Sequence, residues 1–230
     1  MSPVSRQDLR NALAPVLQSL GRRADLDRRN GTRNVAQPDV FYEAYLYAVL
    51  IEVLQNLGAS PAAVPLGPTF HFRRGPGVIG TTPGTFSYIA FTHNGTVYEL
   101  HADTKYEAVA TGVKLEVDIS ITTKAEADLV RTGQIPAPRS DRLKLILEAK
   151  HYGKTASTEP AKTYLATCSH LHTGNTPEGL VLSGAITPNA ASIATTKGYH
   201  VYEEVTPLAA HQAQLTTFKS DLESALRNCL

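Results

Sequence analysis

The chain has 230 residues, 42% hydrophobic and 19% charged, with a net charge of +1; it is long enough for one sizeable core and ordinary in composition for a globular protein. So even a charge balance removes whole-molecule attraction to nucleic acid as an argument and leaves it to a local basic patch. Two distant cysteines, Cys168 and Cys229, do not make a disulfide framework and suit a reducing cytoplasm. The N-terminal stretch lacks the apolar centre of a signal peptide, and no run approaches the ~18 apolar residues of a membrane helix, so a cytoplasmic protein without a membrane partner is expected.

Residues 5–20 predict a helix, with Leu9, Leu13, Val16, Leu17 and Leu20 at helical spacing and Gly21 as its stop. Residues 22–38 are polar and rich in arginine and read as a basic arm, so that 1–38 form an N-terminal helix and arm ahead of a main domain over 39–230. Residues 40–57 predict a helix that is apolar around most of its circumference and therefore buried, ended by Gly58. The Gly- and Pro-dense residues 59–85 read as loop. The period then changes to two. Residues 86–92 and 96–102 flank Asn94-Gly95, a hairpin signal that also reads this Asn-Gly-Thr triplet, like the one at Asn30, as a turn. In 113–121, Leu115, Val117, Ile119 and Ile121 are expected on one face and Lys114, Glu116, Asp118 and Ser120 on the other. Residues 122–141 read as a charged excursion and 143–150 as a strand. A helix over 160–171, a strand over 179–186, a short helix at 189–197, a strand over 199–205 and a helix over 208–228 complete the chain. This order predicts an α/β protein with a central mixed β-sheet of about five strands flanked by helices.

The strand 143–150 carries an anomaly: it reads as core, yet Glu148 and Lys150 project from the same side at its end. If its neighbour is the strand bearing Asp118, two carboxylates and an ammonium converge. Hydrolysis of a phosphodiester calls for such a set, because a hard cation polarises the phosphoryl group and prefers carboxylate oxygens, while an ammonium orients the attacking water, assists its deprotonation or stabilises charge on phosphorus. The bland alternative is a solvated ion pair on an edge strand.

Asp118 followed by Glu148-Ala149-Lys150, with Glu116-Val117-Asp118-Ile119 around the first acid, resembles the pattern of the PD-(D/E)xK nucleases, the restriction-endonuclease-like superfamily. The resemblance covers about two thirds of the chain, and its motif is short. It implies a restriction-endonuclease-like core of helix, three antiparallel strands, helix and strand. It implies Mg²⁺ (or Mn²⁺) held by Asp118 and Glu148, with the Ala149 carbonyl as a third ligand, Lys150 assisting the attacking water, and an acid from the early helix, best matched by Glu43. Cleavage would leave a 5′-phosphate and a 3′-hydroxyl. This sequence departs from the pattern in placing Val117 where the family name has proline, in the long Asp118–Glu148 spacing, and in lacking Gln-x-x-x-Tyr after the motif. The expectation is a metal-dependent nuclease, on DNA before RNA, used in restriction, phage defence, repair or mobile-element processing. A homodimer would cut two strands, and separate partner proteins would supply specificity. The rival is a nuclease-like module that binds nucleic acid or protein without cutting.

Arg73 and Arg74 in a glycine-rich loop, Lys162 and Tyr164 on the helix after the motif, and Tyr152 in the site register are candidate nucleic-acid contacts. Lys144 either contacts phosphate or covers the sheet edge, and His151 is turned to the opposite face. A second candidate surface is Arg22, Arg23, Arg28, Arg29 and Arg33. Cys168, His170 and His172 read as a core cysteine with surface histidines in preference to zinc, which wants four ligands.

Overall fold

A computed structural model describes residues 4–25, 38–65, 67–73, 75–80, 86–153, 155–171, 176–195 and 198–230. The elements are α1 (Arg6–Ser19), β1 (Arg23–Asp25), α2 (Pro38–Asn56), β2 (Ala62–Val64), β3 (Thr69–His71), β4 (Tyr88–His93), β5 (Thr96–Glu107), β6 (Lys114–Thr123), α3 (Lys124–Arg131), β7 (Leu143–Lys150), α4 (Glu159–Leu171), β8 (Glu178–Leu182), α5 (Pro188–Thr195), β9 (His200–Tyr202) and α6 (Gln212–Cys229).

The main sheet has seven strands in the order β2-β4-β5-β6-β7-β8-β9, two more than expected. It is antiparallel from β2 to β7 and parallel from β7 to β9. The change of direction follows from the connections. Asn94 and Gly95, both at positive φ, close the β4–β5 hairpin, whereas the parallel β7–β8 pair needs α4 as a crossover.

Each face of the sheet carries its own core. Leu145, Leu147 and Ala149 of β7 and Val181 of β8 pack with α1, α2 and α6; Ile146 of β7 and Leu180 and Leu182 of β8 pack with α4 and α5. The helix α2 is buried along most of its length, as its composition predicts, and Leu46, Leu50 and Leu54 are wholly enclosed; each contributes about 1.5–3 kcal/mol by burial. Gly58 at φ +80 ends it. Tyr47 fixes its height above the sheet, since its buried hydroxyl donates to the Leu100 carbonyl at 2.5 Å and accepts from the Ile89 amide at 3.1 Å.

The two stretches read as loop contain structure. Residues 59–85 include β2 and β3, three-residue strands too short to leave a periodic trace. Residues 122–141 include α3, held by acids that are buried despite the charged sequence. Glu99, fully enclosed on β5, receives Arg131 Nη1 and Nη2 at 2.8 and 2.5 Å and faces His101 Nε2 at 2.9 Å. Glu126 accepts from the Arg139 amide and Nε at 3.0 and 3.2 Å.

Two alternations are also broken. The β6–β7 register shifts between Ile121 and Thr122 and leaves Lys144 as an extra residue on β7, so Leu143 joins Ile146 in the α4-side core and does not share a face with Leu145. On β6, Ile119 and Ile121 belong to the α2-side core, while Val117 and Leu115 pack on the α4 side. The switch falls at Asp118.

Replacing Tyr47 by Phe leaves a buried amide and a buried carbonyl short of a partner and is expected to cost about 1–3 kcal/mol in denaturant unfolding; a wild-type midpoint would contradict the bridging role. Arg131→Met strands the enclosed Glu99 carboxylate and is expected to cost about 3–5 kcal/mol, read by the same titration.

Candidate functional site

The β6–β7 ladder runs as far as the Ile119↔Leu147 pair. Beyond it a side chain replaces the neighbouring backbone: the Ala149 amide donates to Asp118 Oδ2 at 2.9 Å. The Lys150 ammonium donates to the same oxygen at 3.0 Å and lies 2.7 Å from Glu148 Oε1. On its other side β7 stays paired to β8 through Lys150↔Leu182, and the Lys150 carbonyl accepts from the Ser183 amide at 3.1 Å. A strand tethered on one side and open on the other thus presents Glu148 and Lys150 to Asp118.

Two more acids reach this opening. Glu43 comes from α2, and Asp103 lies directly across from Asp118 in the β5–β6 register, between the pairs Ala102↔Ile119 and Thr104↔Val117. Carboxylate oxygens of Glu43, Asp103 and Asp118 all lie within 4.8 Å of one another. Asp118, Asp103 and Glu148 are only 7%, 5% and 8% exposed. Asp103 has φ +46, a left-handed conformation that costs a non-glycine residue about 1–2 kcal/mol.

Crowding and burial set the proton affinities. Burial first, then the nearby Asp103 and Asp118, hold the Glu43 carboxyl well above the usual carboxylate range. Burial and then Asp118 push Asp103 up to about 7, and the same two causes push Glu148 up to about 7. Glu116, on the rim, is raised by burial and Asp118. For Lys150, burial opposes the charge, but Asp118 and Glu148 outweigh it and hold the ammonium above its ordinary value. An all-oxygen donor set with one ammonium among several carboxyls fits a hard cation such as Mg²⁺ or Mn²⁺ and does not suit a soft one.

Of the residues singled out from sequence, Glu43, Asp118, Glu148, Ala149 and Lys150 come together. Tyr152 is half-buried within electrostatic range of Lys150, Asp39 and Glu148, and its backbone is clamped by Ser183 Oγ. His151 turns away toward Tyr42 and the Val4 carbonyl. Lys162 is exposed on α4.

The others lie elsewhere. Tyr164 is fully enclosed in the α4-side core and so cannot touch a nucleic acid; its position on the inner stripe of α4 decides this. Lys144 is the bulged residue at the far end of β7, its carbonyl beside Cys229 Sγ, and at ~3.3 Å per residue roughly 13 Å of strand separates it from Glu148. The Arg73 guanidinium folds back under its own loop, 3.6 Å from the centre of the Phe86 ring, and donates to the Val78 carbonyl at 3.2 Å. Arg74, His172, Arg28, Arg29 and Arg33 lie outside the described residues. Arg22 donates to the Ala63 carbonyl. Cys168 is core and His170 exposed; among the described residues the one set of three converging metal-capable groups is Glu43, Asp103 and Asp118.

Sequence reading missed Asp103. Its signal was faint: an acid at the centre of an otherwise enclosed strand, two residues after His101.

No family model matches the chain, and comparison with curated proteins and with solved structures returned no match. Among the described residues, no helix is long and apolar enough to cross a membrane.

The raised carboxyls predict a pH signature in chelator-treated protein. Asp103 and Glu148 bind protons in the folded state up to about pH 7 that the unfolded chain has released by about pH 5, so stability falls as pH rises through that window. Thermal unfolding between about pH 5 and 8 is expected to show the fall, and Glu148→Gln to flatten it; parallel profiles for the two proteins would refute the assignment.

Proposed function

We propose that the protein is a metal-dependent nuclease that hydrolyses phosphodiester bonds, with DNA as its substrate before RNA. The observation that carries the reading is the Lys150 ammonium shared between Asp118 and Glu148 at the opened end of β6 and β7, with Glu43 beside them. That arrangement agrees with the PD-(D/E)xK pattern to which the sequence is similar.

Asp118 and Glu148 would hold Mg²⁺ or Mn²⁺, with Glu43 completing the acidic pocket and the Ala149 carbonyl as the further ligand that the resemblance implies. When bound, the cation would polarise the phosphoryl oxygen and lower the pKa of a coordinated water. The residues of the chain do the rest. The neighbouring acids hold Lys150 protonated, so it serves as a donor that orients the attacking water and stabilises charge building on phosphorus. The Ala149 amide, bonded to Asp118 Oδ2, keeps that carboxylate turned toward the opening without a rotamer search. Tyr152 would contact the substrate backbone. A second copy of the chain would cut the opposite strand, partner proteins would supply specificity, and cleavage would leave a 5′-phosphate.

A nuclease-like module that binds nucleic acid or a partner protein without cutting is the second reading, since a fold does not by itself fix an activity.

Incubation of plasmid and linear DNA, and of labelled RNA in parallel, with Mn²⁺ is expected to give metal-dependent cleavage that Asp118→Ala and Glu148→Ala abolish. Lys150→Ala is expected to retain Mn²⁺ binding and lose about a hundredfold or more in rate. Mn²⁺ binding without cleavage of either nucleic acid would favour the non-cutting module.

A further inference from the structure

The C-terminal half of β5 runs past the start of β4, whose pairing with β5 reaches Ile89↔Leu100. The loop over 75–80 fills part of the vacant edge. The Gly77 amide donates to the Asp103 carbonyl at 3.1 Å, and the Gly77 carbonyl accepts from the Lys105 amide at 3.0 Å, a one-residue parallel bridge to Thr104. Two residues earlier, the Gly75 amide donates to Asp103 Oδ2 at 2.9 Å. The loop therefore holds Asp103 by both its backbone and its carboxylate.

Arg73 fastens the loop. Its guanidinium stacks on Phe86 and bonds the Val78 carbonyl. It lies so close beneath Gly77 that a Cβ there would come within 1.8 Å of Nη1. A side chain at 77 would have to push the guanidinium aside, so the Arg73–Gly77 contact ties the place of the guanidinium to the segment whose Gly75 and Gly77 amides meet Asp103. Held in this way, Asp103 has φ +46, almost no exposure and an oxygen within 4.8 Å of the Glu43 and Asp118 oxygens. A buried acid brought among like charges, in a strained backbone, with a dedicated loop to keep it there, is costly to maintain unless a counter-charge joins it.

We propose that residues 75–78, fastened by Arg73, are a positioning element whose task is to hold Asp103 as a further cation-binding carboxylate of the site, with Arg73 acting through Gly77. This rests on the metal-dependent reading above and adds to it a residue and a support that the motif does not contain.

Arg73 is itself a cation within electrostatic range of Asp103. If its influence on the site were through space alone, removing its charge would tighten Mn²⁺ binding. If it positions Asp103, removing it weakens binding despite the lost repulsion. Mn²⁺ titration calorimetry on the full chain, with the unfolding midpoint of each variant measured alongside, separates the two. Asp103→Asn and Arg73→Gln are each expected to weaken Mn²⁺ affinity about ten- to hundredfold, the usual range for supporting residues of a metal site. The double variant is expected to be no weaker than Asp103→Asn, because both changes act through one carboxylate. Gly77→Ala, which displaces the guanidinium and leaves its charge, should weaken binding in the same way.

Unchanged or tighter Mn²⁺ binding in Arg73→Gln, or unchanged binding in Asp103→Asn, would overturn the inference while a wild-type site lost on Asp118→Ala kept the nuclease reading intact. Should Arg73→Gln fail to fold, the isosteric Asp103→Asn decides alone. No Mn²⁺ site in the wild-type protein would overturn both.

Discussion

Asp118 stands in for a stretch of missing sheet. Where β6 and β7 part, the amide of Ala149 has lost a backbone acceptor and takes a carboxylate oxygen in its place, which satisfies an otherwise stranded buried donor. The same oxygen receives Lys150, and Lys150 in turn carries Glu148. The separation of two strands thus creates the space, the hydrogen-bond vacancy and the charge arrangement together. A ladder that continued past Ile119↔Leu147 would close the opening, and Asp118 would be one more residue on a sheet face.

The two cores make that separation stable. Ile119 and Ile121 anchor one part of β6 among α1, α2 and α6, whereas Val117 and Leu115 anchor the next part against α4 and α5. The strand changes its allegiance at Asp118, so the acid emerges at the boundary between two hydrophobic layers. Helix α2, pinned to the sheet by Tyr47, brings Glu43 to the same boundary, and the loop on β5 brings Asp103. The result is a concentration of like charge in a poorly solvated place, visible in the raised proton affinities of Glu43, Asp103 and Glu148. A single ammonium does not neutralise it. Protons or a divalent cation complete the balance, and this is the electrostatic basis of the proposed chemistry.

Much of this was legible beforehand because it is local. The helical stripes of α1 and α6, the apolar length of α2, the Asn94-Gly95 turn and the alternation of β7 beyond its bulge are all written at short range, and the α/β class with a mixed sheet follows from their order. The side-by-side projection of Glu148 and Lys150 needs only a strand. What escaped was of two kinds. The strands β2 and β3, three residues each, are too short for a period; β2 exists by pairing with the longer β4 and β3 by pairing with the equally short β1, a segment far away in the chain. The helix α3 looks like a solvated excursion because its charges are countable in sequence but their burial is not; Glu99, far away on β5, gives Arg131 its partner.

By itself the amino-acid order determined which of the longer periodic segments coil and which extend, that a carboxylate and an ammonium leave one strand together, and that a second carboxylate lies on a strand able to pair with it. These are consequences of backbone period and side-chain chemistry, which act over a few residues. Tertiary structure alone decided that the ladder opens at Asp118, that the bulge at Lys144 turns that lysine toward α6, that Tyr164 is enclosed, and that Asp103 joins the acids. Each of those depends on where a distant segment settles, and the burial, register and electrostatic fields that follow arise from contacts across the sheet that no window of neighbouring residues contains.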